Sequence, residues 1–308
     1  MSDTLARSWS RVGGVLPSLE EIDHNVYRTV AFGFPLLTLV IITGAVWAQY
    51  VWQRWWSWDP KETASLVTWL IYAGYLHGRR QRTWTGRSSA LFAVVGFLAV
   101  LFTFAGVNFL NSAHAYGAPM AGAAGSSRVL AGFADVARPE ALITSAFFLA
   151  YIVSFLLGLA AALWKNPGLL KFSVGLAALG LLGNTVVLIM RALAAGRFSF
   201  TAGYDFSLWF VWGITLCALV ATFRGQSLAL LASLPLALMV AMYGYLYFAD
   251  KSQSALVPAL QNKFWLHLHV SLAILAYGAL ALAAGCGLIY LVKQTVQRRR
   301  SGTAVQAA

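Results

Sequence analysis

Eight apolar stretches recur along this 308-residue chain, near residues 30–50, 64–79, 89–110, 140–163, 171–190, 207–223, 228–248 and 268–292. Each approaches the roughly 20 residues a helix needs to cross the hydrocarbon core of a bilayer. In lipid every backbone N–H and C=O must be bonded within the protein, and continuous apolar runs without two-residue alternation meet that demand as helices. The sequence therefore predicts an all-α polytopic membrane bundle of about eight transmembrane helices. With 59% hydrophobic and only 10% charged residues, a soluble domain is excluded.

The net charge of +12 follows topology. If the N-terminus is cytoplasmic, the larger share of the 22 basic residues falls inside, including Arg79, Arg80, Arg82 and Arg87 in one loop and Lys293, Arg298, Arg299 and Arg300 in the tail. The positive-inside rule then places both termini in the cytoplasm. A basic tail of this kind suits anionic membrane lipid, and no nucleic-acid partner is expected. The first 29 residues carry Glu20, Glu21 and Asp23 ahead of any apolar run, so no cleavable signal is expected and the first span serves as its own insertion signal. Cys217 and Cys286 are isolated within spans, as packing residues rather than a thiol pair.

Between residues 47 and 62 the chain reads WAQYVWQRWWSWDPKE, which sets Trp47, Trp52, Trp55, Trp56 and Trp58 beside a short charged cluster. Two or three indoles suffice for an interfacial belt; five can floor a broad site for a flat apolar ligand such as a porphyrin. Asp59, Pro60 and Glu62 have the N-cap, N1 and N3 pattern of a capping box. Their other reading is contact with propionates through Lys61, Arg54 or ordered water. On the same topology His114, His267 and His269 share the external face with the tryptophans, whereas His77 lies at the cytoplasmic end of its span. Imidazole is a common iron ligand, and groups at both levels would mark a route across the membrane.

The run WSWDPKETASLVTWLIYAGYLHGR resembles the tryptophan-rich (WWD) signature of haem-handling cytochrome c assembly proteins of the CcsA/ResC type. LPSLEEIDHNVYRTVAFGFPLLTLVIITGAVWA, GFLAVLFTFAGVNFLNSAHAY, GRFSFTAGYDFSLWFVWG and LVPALQNKFWLHLHVSLAILAYGALA extend the likeness over roughly residues 16 to 295. The resemblance implies haem b, with reduced iron, carried across a bacterial cytoplasmic (inner) membrane and presented on the periplasmic face. It implies His114 and His269 as external iron ligands and His77 as the transmembrane one, with Trp52, Trp55, Trp56, Trp58 and Asp59 around the macrocycle. It further implies an apocytochrome c whose CxxCH thiols add to the haem vinyl groups, as in a cytochrome c haem lyase, and a ResB/Ccs1-like membrane partner. No residue is expected to do more chemistry than position haem. A haem exporter or chaperone without lyase action, and a membrane electron-transfer subunit, are the alternative functions.

Two departures from the family pattern stand out. The family's Tyr-acid segment and external-histidine span normally precede the WDPKE unit, and here they follow it, as in a circular permutation. Where relatives carry Asn-x-Tyr-Glu, this chain has Gly203, Tyr204 and Asp205, with Arg197 nearby. The expected organisation is a cytoplasmic segment and three-helix WWD half at 1–110, an external Gly/Ala-rich linker carrying His114 at 111–139, a five-helix half at 140–295 and a basic cytoplasmic tail at 296–308. Asn184, in mid-span, is expected to hydrogen-bond a neighbouring helix.

Overall fold

The computed structural model describes residues 17–106, 110, 139–196, 203–226, 228–247 and 263–306. His114, Arg197 and the linker up to residue 138 lie outside the described residues. Among the described residues there are eight helices and no strand: α1 Leu19–Trp52, α2 Pro60–Arg80, α3 Arg87–Phe104, α4 Pro139–Trp164, α5 Pro167–Ala195, α6 Gly203–Phe223, α7 Ala229–Tyr247 and α8 Lys263–Gln306. One helix falls on each apolar stretch, and the chain is an integral membrane protein. Six are long and apolar enough to cross a membrane by themselves; α7 offers a shorter apolar helix over Ala229–Met242, and α2 falls outside that set. Lys61, Glu62, Arg79 and Arg80 at the two ends of α2 dilute its apolar middle.

Helix ends follow local chemistry. Ser18 accepts a hydrogen bond from the Glu21 N–H while Glu21 accepts from the Ser18 N–H, so α1 starts eleven residues before its apolar run. At about 1.5 Å per residue its 34 residues outreach the hydrocarbon layer. Asn166 caps α5 and Pro167 fills its first position; Gly196, at φ 62°, ends it in the left-handed conformation that glycine adopts without penalty.

Helix α8 is the axis of the molecule. It packs most extensively on α1 and also touches α3, α6 and α7, so the α1–α3 and α4–α8 segments form one bundle. Small residues allow the closest approaches. A Cβ on Gly278 would lie 2.5 Å from the Gly213 carbonyl oxygen, and one on Gly285 would lie 2.1 Å from that of Ala232. At one end of the bundle Asp23 binds Arg79 at 2.5 Å and accepts the Gly86 N–H at 3.1 Å, tying α1, α2 and the start of α3 together. The α4–α5 pair is locked by Ser154 and Ser173, each hydroxyl donating to the other's carbonyl, at 2.7 and 2.8 Å.

Candidate functional site

The opposite end of the bundle holds a cavity whose walls come from five helices and one loop. Helix α1 contributes Val40, Gly44 and Trp47; its end and the following loop contribute Trp52, Trp55 and Trp56; α2 contributes Lys61, Glu62 and Ser65. Helix α3 closes one side with Thr103 and Phe104. Helix α6 presents Phe206, Trp209 and Phe210, and α8 presents His269, Val270, Ala273, Ile274 and Tyr277.

The loop owes its shape to α2. Glu62 Oε2 accepts from the Ser57 N–H at 2.7 Å, the Ser57 hydroxyl at 3.0 Å and the Asp59 N–H at 3.3 Å, while Asp59 Oδ1 accepts the Lys61 N–H at 2.9 Å. These bonds complete the capping box. They also hold the Trp55–Trp56 stretch over the cavity. Trp58 turns away: its φ is 58°, it is 70% exposed, and it meets Trp56 edge-on with centroids 6.0 Å apart. Asp59 is therefore a helix cap beside the site.

His269 projects from the first turns of α8 toward α1. Its Nδ1 lies 3.3 Å from Thr43 Oγ1, its ring sits 5.6 Å from that of Trp47, and a Cβ on Gly44 would approach its Cε1 to 3.0 Å. His267, two residues earlier and so roughly 200° round the helix, does not line the cavity. His77 is exposed at the far end of α2, where its Nε2 and Gln81 Nε2 are 2.8 Å apart. Of the expected site residues, the fold brings together His269, Trp52, Trp55 and Trp56 in the cavity wall, leaves Trp58 outside it against Trp56, and places His77 at the far end of α2.

Lys61 is the only Lys or Arg among the described residues of the wall. Burial pushes its ammonium below the ordinary lysine range, against the opposing pull of nearby Asp59. A cation at a helix N-terminus also opposes the helix dipole. Both effects make a bound anion welcome there.

Sequence reasoning passed over the α6 wall, although Phe206, Trp209 and Phe210 have the i, i+3, i+4 spacing of one helix face. It singled out Tyr204 and Asp205 but not the ion network they join with Arg191 and Glu140. Arg191, 4% exposed in α5, donates from Nε to fully buried Asp205 of α6 and from Nη1 to Glu140 of α4 at 2.8 Å, and its guanidinium stands 5.0 Å from the Tyr204 ring centroid. Glu140 and Asp205 occupy first turns, where negative charge suits the helix dipole, and Arg191 lies just before the last turn of α5. Three charges at span ends were the available signal.

The family described as Cytochrome C assembly protein matches residues 2–114 and 201–306. A cytochrome c biogenesis protein CcsA of Guillardia theta is 54% identical over 100 residues, 32% of this chain and 33% of that protein. The CcsA of Prochlorococcus marinus strain SARG is 52% identical over 99 residues, covering 32% and 31%, and that of Gloeobacter violaceus 54% over 99 residues, covering 32% and 29%. Each match thus spans about a third of the relative's length. No solved structure matches the chain.

Proposed function

Because this chain belongs to the cytochrome c assembly protein family, we propose that it acts in cytochrome c biogenesis, holding haem b at the tryptophan-walled end of the bundle for covalent attachment to a CxxCH apocytochrome. The observation that carries this reading is one cavity with Trp52, Trp55 and Trp56 as apolar walls, His269 as an imidazole donor and Lys61 as a cation. Those groups fit haem: flat faces for the macrocycle, nitrogen for iron, positive charge for a propionate. The cavity measures about 180 Å³, less than the roughly 300–1,000 Å³ that enclose a drug-sized ligand. A porphyrin seated there keeps an edge outside, where an apocytochrome can reach it.

In this reading His269 and His114 would hold the haem iron, and Trp55 and Trp56 would exclude water from one face. Haem reaches the site from the cytoplasmic side, with His77 as the lower waystation, and a ResB-like membrane protein completes the machinery. The site faces the periplasm of a bacterial inner membrane, with both termini cytoplasmic. The protein's work is positioning, since the vinyl groups that react belong to haem.

The test is the absorption spectrum of the protein purified with its partner from haem-replete cells. Wild type should carry six-coordinate haem, and His269→Ala and His114→Ala should lose it or turn it high-spin. Haem-free wild type, or two variants with unchanged spectra, would overturn the reading.

A further inference from the structure

Three threonines in this bundle use one device. Thr38 in α1 donates its hydroxyl proton to the Phe34 carbonyl, four residues back, at 3.0 Å, and its oxygen accepts the indole N–H of Trp69 from α2 at 2.9 Å. Thr185 in α5 donates to the Leu181 carbonyl at 2.7 Å and accepts from Trp212 of α6 at 3.0 Å. Indole nitrogen is donor only, so the direction in both pairs is unambiguous. Back-bonding to its own helix commits the threonine proton and leaves the oxygen as an acceptor pointed at the neighbouring helix.

Thr43 repeats the arrangement one or two turns along α1 from Thr38. Its hydroxyl lies 2.7 Å from the Leu39 carbonyl and 3.2 Å from that of Val40, against 3.3 Å from His269 Nδ1. The shorter contact takes the proton, and the hydroxyl oxygen faces the ring. Thr43 is itself buried, so water does not compete for that oxygen.

We propose that Thr43 is a positioning residue for His269: its oxygen accepts the Nδ1 proton, which fixes the imidazole as the Nδ1–H tautomer and sets the ring lone pair on Nε2. A neutral imidazole presents one lone pair, and the hydrogen bond at the other nitrogen decides which atom carries it. Such outer contacts also orient the ring and raise its basicity as a ligand. Gly44 contributes by leaving the space into which the His269 Cε1 edge fits. The consequence for iron binding rests on the function proposed above; the tautomer itself does not.

The experiment uses the full chain labelled with ¹⁵N-histidine in lipid nanodiscs, at alkaline pH where imidazole is neutral, with the His269 signals assigned by their loss in His269→Gln. Solid-state NMR should show His269 as Nδ1–H in wild type and in Thr43→Ser, and as Nε2–H or a mixture in Thr43→Val. Wild-type His269 in the Nε2–H form would overturn the proposal, a result that does not depend on the folding of Thr43→Val. So would an unchanged Nδ1–H population in Thr43→Val.

Titration of the same preparations with haem b then separates the two claims. Affinity should fall about 10- to 100-fold in Thr43→Val, with an upward shift of the haem midpoint potential, and Thr43→Ser should restore both. Equal affinity and potential in wild type and Thr43→Val would remove Thr43 from ligand positioning. If wild type takes up no haem, the functional reading falls while the NMR result still decides the tautomer.

Discussion

At the scale of single residues, charge placement makes the sharpest predictions. Lys61 faces an aromatic cavity with its ammonium partly stripped of water, and a charge-assisted hydrogen bond to a ligand carboxylate contributes on the order of 1.5–3 kcal/mol. Lys61→Met should therefore weaken binding of haem by roughly tenfold or more, while binding of its dimethyl ester, which lacks the carboxylates, stays unchanged. Comparative titration checks this, and equal losses for both ligands would refute it. The pH dependence has a definite sign. Because burial lowers the folded-state pKa, the ammonium is lost as pH rises through a value below the usual 10.5. The preference for free haem over its ester should disappear across that window, and charged Lys61 is a cost to folding below it that vanishes above. The buried network behaves differently. Asp205→Asn takes the buried carboxylate away from Arg191, and losing one partner of a buried pair costs roughly 3–5 kcal/mol. Glu140 is 32% exposed, so Glu140→Gln should lower the midpoint of thermal unfolding in detergent much less than Asp205→Asn does.

At the scale of helices, the spans were legible because lipid demands long apolar runs, and each expected span has its helix. The lateral contacts were not legible, because hydropathy is nearly uniform around a membrane helix and says little about which face meets which neighbour. Small residues decide that. Gly213 and Gly278 bring α6 and α8 into backbone contact, and both helices line the cavity. Gly278→Val inserts side-chain atoms against the Gly213 carbonyl and should cost about 1–3 kcal/mol through overpacking, read as a lower unfolding temperature together with weakened haem binding. Stability and binding both unchanged would show that the α6–α8 approach does not set the site. The same limit explains the candidate site. The tryptophan loop and the capping box could be read because their signals are local in sequence. Thr43 could not be read, since its partner His269 lies 226 positions away, and the start of α1 was missed because the Ser18–Glu21 box was outweighed by the polarity of residues 19–29.

At the scale of the molecule, the chain closes its site with helices from both ends of its sequence. Gly44, Trp47 and the tryptophan loop come from the first third, and His269, Val270 and Tyr277 from the last. The long α8 packs along α1 and α3 while also seating α6 and α7. Such an arrangement needs a continuous chain only to bring the segments into one membrane, because the contacts that hold them are between helix faces. Residues 1–138 and 139–308, expressed together as two pieces, should therefore copurify through a tag on either piece. The complex should bind haem with an affinity within about tenfold of the intact chain, since joining the pieces adds effective concentration without a new contact. Lys293, whose ammonium donates to the Pro17 carbonyl at 2.5 Å, adds a polar tie between the start of α1 and the far end of α8, so Lys293→Met should loosen the split complex more visibly than the intact protein. Separate elution of the two pieces would mean that the covalent link, rather than the α1–α8 seam, holds the cavity together.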